Sequence, residues 1–180
     1  WTATINGGSA RARLAAAPVI AEGKLFVVDV EAVVHAFDAN TGAKLWQAAV
    51  AEGDDNRPSR FGGGASYDDG KVYATDGLGD VAAFNAADGK LVWRVHPGGP
   101  LRGGPTIANG VVYVETQDNQ LYALDQANGA VNWTAQGTAE TQGVFGVGAP
   151  AAGGSCATRA GRSASPARHT ERFARGSRRK

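Results

Sequence analysis

The sequence predicts an all-β chain: a β-propeller fragment of three four-stranded antiparallel blades with partial blades on either side. Three observations carry that reading. Segments 18–46, 65–93 and 105–133 repeat one another in register. Tryptophans recur at spacings of 45, 47 and 40 residues, from Trp1 through Trp46 and Trp93 to Trp133. A period near 40–45 built of short elements marks propeller blades or a comparable repeat array. Finally, no stretch of helical length carries an apolar period of 3.6, whereas β-branched and aromatic runs alternate with glycine-bearing turns.

Each blade reads as four strands. The first is of the Pro18–Ala21 type and ends in a Glu-Gly, Asp-Gly or Asn-Gly pair at Gly23, Gly70 and Gly110. Such pairs between apolar runs signal tight hairpins, because glycine tolerates the positive φ that the turn needs. The second strand covers Lys24–Asp29, Lys71–Asp76 and Val111–Thr116, and the third roughly 32–37, 81–84 and 120–124. The fourth begins at Lys44, Lys90 and Ala130 and carries the tryptophan. Val19, Leu25, Val27, Val72, Val112 and Val114 are the expected inward residues.

The turn between the third and fourth strands has its own logic. Asp38, Asn85 and Asp125 each stand four residues before Gly42, Gly89 and Gly129. An Asx side chain accepts hydrogen bonds from the following amides, and the glycine takes the left-handed position. Four residues beyond each glycine stands Trp46, Trp93 or Trp133. An indole brings a large apolar area and one N–H that needs a partner. A repeated tryptophan at one blade position is therefore expected to be mostly buried against a neighbouring blade, a structural docking role.

Composition limits the other classes. The chain has 180 residues, 18 Lys+Arg against 17 Asp+Glu, one Cys and no Met. No run of 18 apolar residues exists, so no membrane-spanning helix is expected. One cysteine excludes an internal disulfide and a Cys-rich zinc site. The chain starts at Trp1 without a signal-peptide pattern, which places the beginning of the gene product upstream. Residues 1–154 hold 10 basic and 16 acidic side chains, whereas residues 155–180 hold 8 basic ones against Glu171 alone. The repeat pattern restarts at Gly146–Gly154 and then fails where an apolar strand is due, at Ser155-Cys156-Ala157-Thr158-Arg159. Low apolar content with strong positive charge predicts disorder for 155–180. A basic tail for nucleic acid or anionic lipid is one reading of that segment. Out-of-frame translation of a GC-rich gene is the preferred one. The expected domains are thus an incomplete propeller over 1–154 and a basic tail over 155–180.

Other chemistry is weakly represented. Gly62-Gly-Gly64 and Gly98–Gly104 read as joins between blades, not phosphate loops. Asp54, Asp55, Asp68 and Asp69 lie in different turns and read as solvated carboxylates, not a calcium site. His35, His96 and His169 lack ligand spacing, and no Gly-x-Ser-x-Gly elbow accompanies them. No catalytic, cofactor-binding or metal-binding residue is assigned, and no cofactor is expected.

The segment Ala36-Phe-Asp-Ala-Asn-Thr-Gly-Ala-Lys-Leu-Trp46 resembles the tryptophan-docking repeat of propellers of the pyrroloquinoline-quinone type. Ala123–Trp133 repeats it, and Ala83–Trp93 departs by Asn85 for Asp. Ala65–Val95 and Gly103–Thr138, with the joins at 61–64 and 101–105, are similar to outer-membrane protein assembly factors of the BamB type. That resemblance implies an eight-bladed, non-catalytic periplasmic scaffold attached to the outer membrane by a lipid anchor absent from this chain. It implies a protein partner, the periplasmic domains of the barrel-inserting subunit, and no nucleic acid. It also places Val144 and Phe145 in the partner-contacting loop, with Phe145 where the family has Arg. The alternative is a fragment of a quinone- and calcium-dependent alcohol or sugar dehydrogenase, although the adjacent cysteine pair found in many of those enzymes is missing. A solute-sensing or adhesion propeller is a third class the repeats permit.

Overall fold

In the computed structural model, described for residues 1–5, 16–53, 63–101, 103–137, 150–153 and 156–158, the repeats become sheets. The first holds β1 (Val19–Ala21), β2 (Lys24–Val28), β3 (Val33–Asp38) and β4 (Lys44–Ala49) in that spatial order. The second holds β5 (Ala65–Asp68), β6 (Lys71–Thr75), β7 (Val81–Asn85) and β8 (Leu91–Val95), and the third β9 (Thr106–Ala108), β10 (Val111–Glu115), β11 (Gln120–Asp125) and β12 (Val131–Gln136). Every neighbouring pair is antiparallel. No helix occurs among the described residues, so none there is long and apolar enough to cross a membrane. A hairpin of β13 (Ala151–Gly153) and β14 (Cys156–Thr158) follows. Its second strand lies inside the basic segment that the sequence reading sets apart from residue 155.

The first hairpin of each sheet turns through two residues of positive φ. These are Glu22 (48°) with Gly23 (70°), Asp69 (44°) with Gly70 (72°), and Asn109 (53°) with Gly110 (76°). Two consecutive positive φ values give the turn whose twist matches the flanking strands. The second strands stop one residue sooner than expected. Asp29, Asp76 and Thr116 leave the ladder because their side chains bond the turn that follows.

Alternation gives each sheet two faces, and the second sheet buries both of its own. Phe26, Val34, Ala36 and Trp46 share one face of the first sheet and meet Val72, Ala74, Ala82 and Phe84 of the second. The other face of the second sheet presents Tyr73, Val81, Ala83 and Trp93 to Val112, Val114, Tyr122 and Leu124 of the third. Burying one large apolar side chain stabilises by about 1.5–3 kcal/mol, so sheet-on-sheet stacking dominates the fold. Of the expected inward residues, Val27, Val72, Val112 and Val114 are buried. Val19, packed toward the second sheet, and Leu25, on the opposite face with Val27, are half-buried.

The first strands of successive sheets adjoin one another: β1 with β5, β5 with β9, and β9 with β13. Ser66 Oγ donates to the carbonyl of Pro105, and Thr106 Oγ1 to that of Pro150. Each hydroxyl stands at the same strand position and reaches the proline that opens the next unit. The hairpin at 150–158 is therefore in phase with the three sheets before it.

Candidate functional site

The sheets bring the repeated tryptophans, glycines and Asx residues together between blades. Trp46 Nε1 donates to the carbonyl of Ala86 at 3.1 Å, and Trp93 Nε1 to that of Gln126 at 3.0 Å. Each acceptor is the residue after Asn85 or Asp125, in the β7–β8 or β11–β12 turn of the following sheet. The rings rest on the glycines of those same turns. A Cβ on Gly89 would lie 2.6 Å from the Trp46 ring, and one on Gly129 2.7 Å from the Trp93 ring. Gly42, Gly89 and Gly129 also hold φ of +73°, +72° and +76°. Two constraints thus select glycine there, a left-handed backbone and an indole against the Cα.

The Asx side chains shape the acceptor. Asp38 Oδ1 accepts from the amides of Asn40 at 3.0 Å and Thr41 at 2.7 Å, and from the Thr41 hydroxyl at 2.9 Å. The Thr41 amide, followed by its hydroxyl, holds the exposed Asp38 carboxyl below the usual carboxylate range. Asn85 Oδ1 accepts from Ala87 at 2.8 Å, and Asp125 Oδ1 from Ala127 at 2.9 Å and Asn128 at 3.1 Å. With its own amides satisfied, each turn leaves one carbonyl free to face the preceding blade.

The three tryptophans differ in burial. Trp93 is 7% exposed and Trp46 half-buried. Trp133, expected to be mostly buried, is 45% exposed, with Val131 beside it at 49%. Its ring touches Tyr113 of its own sheet, with centroids 6.0 Å apart. Among the described residues no four-stranded sheet follows to supply a carbonyl and a glycine. Conversely, Trp1 is a docking residue that the sequence reading used only for spacing. Its Nε1 donates to the carbonyl of Ala39 at 3.1 Å, and its ring lies over Gly42 and 6.4 Å from Phe37. The signal that could have found it is its spacing of 45 residues from Trp46.

Titratable groups sit at the opposite end, around the turns between second and third strands. Asp29 Oδ1 accepts from the amides of Glu31 and Val33, both at 2.9 Å, and Oδ2 lies 2.7 Å from His35 Nε2, with both side chains buried. Asp76 Oδ1 accepts from Leu78, Gly79 and Asp80 at 2.8–2.9 Å. His96 Nδ1 lies 3.1 Å from Asp80 Oδ1. At the docking end, by contrast, Asp68 Oδ2 accepts from Gln126 Nε2 at 2.6 Å across the second junction. No three His, Cys, Asp or Glu side chains among the described residues are placed to hold a metal ion. Val144, Phe145, Asp54, Asp55 and His169 lie outside the described residues.

Comparison with known proteins fits these junctions. The family profile described as outer membrane protein assembly factor BamB matches residues 1–54 and 30–163. The chain belongs to the BamB family. An assembly factor BamB from Moranella endobia (strain PCIT) is 31% identical over 121 residues, covering 65% of this chain and 31% of the relative. One from Shewanella oneidensis is 30% identical over 139 residues, covering 74% and 35%. The chain thus spans about a third of the length of these relatives. The crystal structure of BamB from Moraxella catarrhalis superposes with a TM-score of 0.54 at 20% identity, over 71% of this chain and 38% of that one. A quinohemoprotein alcohol dehydrogenase from Comamonas testosteroni superposes with a TM-score of 0.59 at 26% identity, over 69% and 21%.

Proposed function

We propose that the chain contributes consecutive blades to a non-catalytic scaffold for outer-membrane protein assembly, working in the periplasm beside the outer membrane. Its partner in this reading is the periplasmic part of the barrel-inserting subunit. A lipid anchor outside this chain would hold it at the membrane. The observation that carries the reading is the repeated docking junction, tryptophan on carbonyl and glycine, within a chain of the BamB family. Such a junction makes a stiff surface from short strands, and stiff surfaces suit the capture of a protein partner. Val144 and Phe145 are the contact residues of this proposal, on the segment that joins β12 to β13. Antiparallel order ends β12 at the same end of the sheets as the β2–β3, β6–β7 and β10–β11 turns.

The test is a binding titration against the purified periplasmic domains of the barrel-inserting subunit. Saturable binding, weakened at least about tenfold by Val144→Asp, is the expected result, since burying an unpaired charge costs more than the 1.4 kcal/mol that tenfold represents. No binding, together with dye-linked alcohol oxidation after addition of quinone and calcium, would favour the dehydrogenase reading. The domain boundary belongs to the same proposal, with the repeats running to 154 and the basic segment from 155 arising out of frame. A one- or two-base insertion or deletion near codon 153 of the source DNA is expected; an intact frame would remove that part.

A further inference from the structure

The β2–β3 and β6–β7 turns are built alike, yet one carboxylate oxygen finds a partner only in the first. Asp29 and Asp76 hold the same place in the repeat, one residue past β2 or β6, and each offers Oδ1 to the amides of its turn. Asp29 then offers Oδ2 to His35, which pairs with Val27 across the first sheet. The equivalent pair in the second sheet is Ala74 with Ala82. Alanine has nothing to give, and Asp76 Oδ2 is fully buried with no hydrogen-bond partner among the described residues.

We propose that Asp76 is a pH-sensitive latch on the connection between the second and third blades. A buried carboxyl oxygen without a donor disfavours the charged form, so the proton rests on Asp76 at pH values where ordinary carboxylates have lost it. Burial is the first cause that pushes this carboxyl above the usual range. The Asp80 charge adds to it, against the three turn amides. The described segments around the turn pack closely. A Cβ on Gly63 would lie 2.9 Å from the Asp76 Cα, and one on Gly79 would lie 2.8 Å from His96 Cε1 and 2.9 Å from the Gly99 carbonyl. The charged groups around the turn are already engaged. Asp80 lies against His96, and the Arg94 guanidinium donates to the carbonyls of Ala49 and Val50 and sits 3.9 Å from Glu52. Loss of the proton in this proposal draws water to Oδ2 by parting the Asp76–Asp80 turn from residues 96–99.

The sign follows from linkage. A folded-state affinity for the proton above the unfolded one stabilises at pH below the unfolded value and is lost as pH rises through the folded value. Two readouts on the full chain test it: the carbonyl-carbon NMR titration of Asp76, and amide exchange of residues 78–80 across pH, corrected for intrinsic rates. The expected result is a midpoint for Asp76 above 3.8 and protection at 78–80 that falls with rising pH in the wild type but not in Asp76→Asn. The fall is at most about tenfold per pH unit, the limit for one proton. Ala82→His, which copies the first blade, should lower the midpoint and flatten the profile. If that variant fails to fold, the titration and the Asp76→Asn comparison decide alone. A midpoint at or below 3.8, or equal pH profiles for wild type and Asp76→Asn, overturns the proposal.

Discussion

Trp93 and Trp133 come from the same position of neighbouring blades, and only one of them is docked. Trp93 lies against Gly129, donates to the Gln126 carbonyl and packs on Tyr73 with centroids 5.9 Å apart. Trp133 keeps the same contact with its own sheet, to Tyr113, and stays 45% exposed. The own-sheet aromatic contact is thus local to a blade, while burial is conferred by the next one. A docking tryptophan has no fixed worth; its value belongs to the junction.

Truncating the docked member should show the largest effect. Trp93→Ala is expected to lower unfolding free energy in urea by about 3–5 kcal/mol, through lost burial and the cavity left behind. A loss below about 1 kcal/mol would mean that the junction does not hold the second and third sheets together. Placing a methyl group on the other side comes next. Gly129→Ala meets the indole and a left-handed backbone at once and should cost about 1–3 kcal/mol, with the Trp93 fluorescence moving to longer wavelength. Trp133→Ala should change stability by less than about 0.5 kcal/mol, as surface substitutions do. A cost close to that of Trp93→Ala would show the Trp133 face to be covered in solution.

The smallest effect is electrostatic and concerns the turn that receives Trp1. The Asp38 carboxyl is held below its ordinary value by Thr41, so its contribution is present above pH 3.8 and lost as pH falls through the lower folded value. An acid titration of unfolding should therefore find the wild type losing ground to Asp38→Asn below pH 3.8. Parallel curves would mean that the turn does not depend on the charge.

Strands and turns were legible because each is written three times. Gly23, Gly70 and Gly110 mark the tight hairpins, and β-branched runs mark the second strands. The Asx residues and glycines of the docking turns were legible for the same reason. What the tryptophans dock on was not, because the acceptor is a backbone carbonyl, and the side chains of Ala39, Ala86 and Gln126 take no part in the bond. The exposure of Trp133 was missed because a repeat predicts a neighbour on each side, whereas burial depends on the neighbour that is there. The bare oxygen of Asp76 was hidden differently. It depends on register, which sets Ala82 where the first blade has His35, and the alignment alone treats that as ordinary strand variation.

The phased hydroxyl-to-proline links have a consequence for how such chains change over generations. Ser66 bonds Pro105 and Thr106 bonds Pro150, each reaching one unit ahead, just as the docking indoles do. Each such joint therefore pairs a plug on one blade with a socket on the next, and the array has a direction. Duplicating or deleting one whole period leaves the remaining joints mated, while shorter insertions are absorbed outside the joint, as the unequal spacings of 45, 47 and 40 residues between tryptophans indicate. Blade number is in this way free to drift in integer steps, and the sequence inside each blade is free to diverge so long as the joint is kept.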